Sequence, residues 1–121
     1  MLIEHNEVAV DLWQIIAHHG YGHQKHKAME EFAELTEALA RDQQGQGDRA
    51  NIAEEMADCY IMLAQLELIY GNHGDVVQMI REKMARTLER VEAERRGDLF
   101  RHGCAVPPSP EGEGKMGGTG T

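Results

Sequence analysis

Apolar residues recur three and four positions apart in four separated blocks, the spacing of helices that each bury one face. Val8, Leu12, Ile15 and Ile16 predict a first helix from Leu2 to about His18, with Asn6 placed to cap its regular part. The segment His19 to His23, with Gly20 and Gly22 inside it, breaks the pattern. A second stripe, Ala28, Phe32, Leu35 and Leu39, runs to about Gln43 and ends in the turn-forming stretch Gln44 to Asp48. Asp48 or Asn51 is suited to cap a third helix along Ile52, Met56, Cys59, Leu63, Leu66 and Tyr70. Gly71 to Gly74 closes that helix. Asp75 then caps a fourth along Val76, Ile80, Met84, Leu88 and Val91, which fades into Glu92 to Arg96.

Four amphipathic helices with short connections predict an all-α, antiparallel four-helix bundle-like subunit over residues 1–98. Residues 99–121, with Pro107, Pro108, Pro110 and a run of glycines, are expected to form a flexible tail that buries no core. About a hundred foldable residues make a small core, so an oligomer, a homodimer or homotetramer, is expected. Aromatic residues make up only 5% of the chain, which favours helices over strands. Cys59 sits in a helical pattern and Cys104 in the tail, so no disulfide framework is implied.

The net charge of -9 disfavours duplex nucleic acid and anionic membranes, both of which need clustered Lys and Arg. No apolar run approaches the roughly 20 residues of a membrane span. The first residues carry acids and His rather than a signal-peptide pattern, so a cytoplasmic protein is expected.

The acidic residues are not spread evenly. Glu30-Glu31-x-x-Glu34 falls in the second helix and Glu55-x-x-Asp58 in the third. On a helical wheel Glu31 and Glu34 flank the buried stripe, while Glu30 and Glu37 turn toward solvent. Glu55 lies within the apolar face, between Cys59 and Met62, and Asp58 lies on its border. Carboxylates gathered near a core demand a counter-cation, because unpaired burial costs several kcal/mol each by rough estimate. Four hard oxygen donors on two adjacent helices suit magnesium or manganese. The plainer alternative is a solvated acidic face paired to nearby Lys and Arg.

Two other metals are disfavoured by the sequence. Di-iron bundles use Glu-x-x-His pairs, and no Glu here is followed by His three residues later. His18, His19, His23 and His26 cluster around the first turn but lack cysteines at zinc-ligand spacing.

Gln24-x-x-Lys27-x-x-Glu30-Glu31-x-x-Glu34-Leu35, followed by Glu55-x-x-Asp58 and the run Ala57 to Leu66, resembles the MazG-like all-α nucleoside triphosphate pyrophosphohydrolases, particularly small phage-type members. Lys83 to Arg90 also resembles a basic element that the family uses near substrate phosphates, with Thr87 where relatives often carry Asn. The resemblance covers about Trp13 to Arg90. It implies helical subunits that dimerise or form tetramers and use magnesium to split a (deoxy)nucleoside triphosphate into monophosphate and pyrophosphate, in nucleotide-pool control or house-cleaning. Carried over by position, Glu31, Glu34, Glu55 and Asp58 are the metal-ligating catalytic residues. Lys83, with Arg86 or Arg90, meets phosphate, and Gln24 and Lys27 lie near the substrate entrance.

Metal-activated water attacking the α-phosphorus needs no nucleophilic side chain, which suits a chain whose sole Ser, Ser109, is in the tail. Lys83, Arg86 and Arg90 share one face of the fourth helix, a cationic wall or else ordinary partners of Glu82, Glu89 and Glu92. Trp13 is either a base-stacking platform or a core or dimer contact. Two other functions fit the same pattern: a phosphoribosyl-ATP pyrophosphatase, whose substrate is also split between α- and β-phosphates, and a non-catalytic helical interaction module.

Overall fold

The computed structural model describes the backbone over residues 5–98, and every element in it is helical: α1 (His5–His19), α2 (Tyr21–Gln43), α3 (Arg49–Tyr70), α4 (His73–Ala93) and a π-helical turn at Glu94–Asp98. The expected helix start at Leu2, the side chain of Asn6, and the tail with Cys104 and Ser109 lie outside the described residues. Among the described residues the protein is all-α with four α-helices, as the periodicity predicts.

Asp48 caps α3, its carboxylate oxygen Oδ1 accepting the backbone N–H of Ala50 at 3.0 Å and of Asn51 at 3.4 Å. Asn51 therefore lies inside the helix. The other end of α3 stops at Gly71, whose left-handed backbone (φ 62°) lets its N–H close on the carbonyl of Glu67 at 2.8 Å. After Gly71 only Asn72 intervenes before α4, so the helix starts at His73 rather than beyond an Asp75 cap. Asp75 sits instead in the first turn, where its charge opposes the positive end of the helix.

The break between α1 and α2 is likewise shorter than His19 to His23. It is the single residue Gly20. Gly22 fits in the first turn of α2, where backbone N–H groups need no partner within the helix. Gly20 has φ 94° and ψ 155°, a conformation that essentially only glycine adopts. Nothing lies within 4 Å of where its Cβ would stand, so the cost of a side chain there is backbone strain alone. Gly20→Ala is expected to destabilise by about 1–3 kcal/mol, whereas Gly22→Ala, in open helix, is neutral or stabilising by up to about 1 kcal/mol. Urea midpoints of the two variants check the opposite signs.

The chain divides into two compact units between Asp75 and Val76. In the first, α2 packs chiefly against α3, and α1 lies on both. The α2–α3 pair is antiparallel: Lys25 lies over the ring of Tyr70, Gln24 bonds Gln65, and the Cys59 thiol points at the Glu31 carbonyl. Residues at the start of α2 meet the last part of α3, and Glu31 further along meets its middle. Leu12 and Ile16 of α1, Ala28 and Ala38 of α2, and Cys59, Met62 and Ala64 of α3 form the core.

That core departs from the predicted stripes. Ile15, Leu39, Met56, Leu63 and Tyr70 are exposed, and in α3 the buried positions shift to Met62, Ala64, Gln65 and Glu67. A helix packed against two neighbours buries a wider face than a single stripe marks, and here that face includes two polar residues. In the second unit, α4 has no buried residue, and Met79, Ile80, Met84 and Leu88 stand exposed along it. No described helix is long and apolar enough to cross a membrane.

Candidate metal centre

The antiparallel pairing of α2 and α3 sets the position of the acids. Glu31 and Glu34 lie one turn apart on α2, and Glu55 faces them from α3. One carboxylate oxygen from each lies within 4.8 Å of the others, and among the described residues this is the group of His, Cys, Asp and Glu side chains suited to hold a metal ion. Three of the four predicted ligands are thus together. Glu31 is buried, Glu55 half-buried and Glu34 exposed, so the cluster opens from the helix interface toward the surface.

Asp58, the fourth, is half-buried one turn along α3 and lies outside that group of oxygens. Its charge still reaches the cluster. Burial first, and then the charges of Glu34, Asp58 and Glu31, push the Glu55 carboxyl above its usual range. Glu31 Oε1 and Glu55 Oε1 are both buried without a hydrogen-bond partner. Buried polar atoms are paired in the great majority of cases, so an orphan oxygen on each of two residues of this cluster marks it as a place that could hold a cation.

One cation of the chain itself already stands beside the cluster. Lys27 Nζ stands 3.2 Å from Glu31 Oε2 and 3.8 Å from Glu30 Oε1. The hydrogen bond to Glu31 and the charge of that carboxylate hold the Lys27 ammonium above its usual range, with Glu30 and Glu34 adding to the effect. Lys27 neutralises one oxygen of Glu31 and leaves the other bare. Gln24, grouped with Lys27 in the sequence, is buried, and its amide donates to Gln65 Oε1 at 2.8 Å. Both residues line a cavity of about 490 Å³ beside the cluster.

Lys83, Arg86 and Arg90 are exposed on α4, in the second unit. Trp13 is part-exposed, with Tyr21 tilted toward it at 6.4 Å between ring centroids. The histidines do not converge as zinc ligands. The His19 and His23 rings stack face to face at 4.7 Å, and His18 meets His19 edge-on at 4.7 Å. His19 and His23 share ring faces, and His18 presents an edge to His19.

Cys59 borders the cluster, but burial and the surrounding charges, Glu31 foremost, push its thiol up, and its Sγ–H points to the backbone carbonyl of Glu31 at 3.5 Å. A neutral, buried thiol is a poor nucleophile. Two buried polar residues escaped the sequence reading. Gln65 closes the amide pair with Gln24, and Glu67 takes the Nδ1 of His73 at 2.8 Å. The only signal for them was a position on the wide side of α3.

Comparison with protein-family models, with curated proteins and with solved structures finds no match to this chain.

Proposed function

We propose that this chain is a magnesium-dependent nucleoside triphosphate pyrophosphohydrolase that splits (deoxy)nucleoside triphosphates into monophosphate and pyrophosphate. The observation that carries the proposal is the convergence of Glu31, Glu34 and Glu55 with two orphaned buried oxygens. All the donors are hard carboxylate oxygens, the set that magnesium or manganese takes. The resemblance in Gln24 to Leu35 and Glu55 to Leu66 supplies the reaction.

In this reading Glu31, Glu34 and Glu55 hold the metal, and Asp58 adds its charge at the edge of the site. Bound magnesium supplies charge neutralisation at the phosphate oxygens and a more acidic water. The residues themselves do the rest. Burial and its acidic neighbours push the Glu55 carboxyl up, and a cation held there would favour its ionised form. Lys27 holds Glu31 in place from the cavity side. The resemblance assigns Lys83, Arg86 and Arg90 to substrate phosphates. The exposed apolar side of α4, with Ile80, Met84 and Leu88, suits contact with a second copy in a homodimer or homotetramer.

A screen of pyrophosphate release across the common nucleoside triphosphates and phosphoribosyl-ATP, with and without magnesium, tests the proposal. Release from nucleoside triphosphates only in the presence of magnesium is expected. Turnover of phosphoribosyl-ATP alone reassigns the enzyme, and no turnover of any substrate leaves a non-catalytic helical module.

A further inference from the structure

The cavity between α1, α2 and α3 has a lining unlike the rest of this acidic chain. His19, His23, His26 and Lys27 face it, Glu30 is its single carboxylate, and α3 contributes the uncharged Met62 and Gln65. Glu30 is drawn toward Lys27 at 3.8 Å. The nearby start of α2 has neither a side-chain cap nor an acid in its first turn, so the chain leaves the positive end of that helix unneutralised.

The floor of the cavity fixes the state of one imidazole. Met62 Sδ only accepts hydrogen bonds, so the Gln65 amide nitrogen, 3.7 Å away, donates to it. Gln65 Oε1 then receives the Gln24 amide nitrogen at 2.8 Å, and Gln24 Oε1 is left to face His23 Nδ1 at 2.8 Å. His23 Nδ1 therefore carries a proton. A second proton lands on Nε2 and breaks no buried bond, so the cationic ring fits the same frame as the neutral one. The imidazoles also stand against one another, His19 stacked on His23 and His18 edge-on to His19. His19 is held below its usual range by burial and then by the charges of His18 and His23, although its place in the last turn of α1 favours a cation.

We propose that this cavity is a proton-coupled binding site for a small divalent oxyanion of the phosphate type, with His19 and His23 gaining charge as the anion enters. An anion among the rings offsets their mutual repulsion, so binding takes up protons and tightens as pH falls through the histidine range. The site needs no metal and does not depend on the hydrolase reading.

Inorganic sulfate is the probe, because it keeps both charges across this pH range and any pH dependence belongs to the protein. The full chain is titrated in EDTA at constant ionic strength, with imidazole proton resonances as the readout. Sulfate is expected to bind about tenfold more tightly near pH 6 than near pH 7.5, the effect of roughly one linked proton, and to raise the titration midpoints of His19 and His23. His19→Gln and His23→Gln, with helicity checked by circular dichroism, each remove most of that gain. If His23→Gln disrupts the fold, His19→Gln and the wild-type titrations decide. Parallel titrations with inorganic phosphate and ribose 5-phosphate distinguish a free oxyanion from the terminal group of an organic phosphate. Equal sulfate affinity at the two pH values, or midpoints indifferent to sulfate, overturns the proposal.

Discussion

On the proposed reading, Glu55→Gln is expected to cut metal-dependent turnover sharply and at the same time to make the metal-free protein more heat-stable. The two effects have one cause. Glu55 is pushed above the ordinary 4.5 by burial and by Glu34, Asp58 and Glu31, so the folded protein binds its proton more tightly than the unfolded chain does. A group of that kind contributes stability below pH 4.5 that is lost as pH rises through its raised folded value. At neutral pH the ionised Glu55 thus strains the metal-free site, and the neutral amide relieves the strain. In EDTA the melting temperature of the variant is expected to exceed that of the wild type at pH 7 and to lose part of the wild-type decline above pH 4.5.

Magnesium is expected to reverse the order. A cation at a hundred times its dissociation constant stabilises the folded state by about 2.7 kcal/mol, roughly 10 °C or more in melting temperature for a chain of this size. The variant lacks a charged ligand and gains much less. Turnover is expected to fall by about 10²- to 10³-fold, the usual loss when one electrostatic group of a reaction site is removed. Unchanged magnesium stabilisation together with full turnover in Glu55→Gln sinks the assignment of this cluster as the metal centre.

Glu55 was legible in the sequence because a carboxylate on an apolar face contradicts the pattern around it. Glu31 and Glu34 were legible with it, since spacing on α2 and pairing with α3 together determine which acids meet. The separation of Asp58 from the three-oxygen group was not legible: a helical wheel gives direction around the axis but not the distance across an interface. The helix ends followed local chemistry, as at Asp48 and Gly71. The errors, at Gly20 and before Asp75, came from counting every glycine as a break when one residue with φ 94° suffices to turn the chain.

The core was less legible than the helices. Periodicity placed Leu63 and Tyr70 inside, yet α3 contacts both α1 and α2 and turns Gln65 and Glu67 inward beside Met62 instead. Buried glutamines and a buried glutamate read as solvent-facing in any hydropathy pattern. They are tolerated because each has a partner on another residue: Gln24 for Gln65, and His73 for Glu67. The same amide pair shapes the cavity whose histidines the sequence presented only as a loop-like cluster.

The attachment of α1 rests on few residues, and one of them dominates. Ile16 is fully enclosed and Leu12 nearly so, whereas Ile15 beside them is 40% exposed. Ile16→Ala is expected to cost about 2–5 kcal/mol, the range for truncating an enclosed aliphatic side chain. Against a net stability of about 5–15 kcal/mol for an ordinary domain, that is a large fraction. Ile15→Ala, at the cavity wall, should change stability by roughly 0.5 kcal/mol or less. Because α2 and α3 keep their own antiparallel contact, the loss falls first on α1. Hydrogen exchange should show α1 amides losing protection in Ile16→Ala while Cys59 to Gln65 on α3 stay protected at low denaturant. With α1 loosened, His19 leaves its stack on His23, and the sulfate response of the cavity weakens even though no histidine has been changed. Uniform loss of protection across all three helices, with the sulfate response intact, contradicts this division of the first unit into a paired frame and a docked helix.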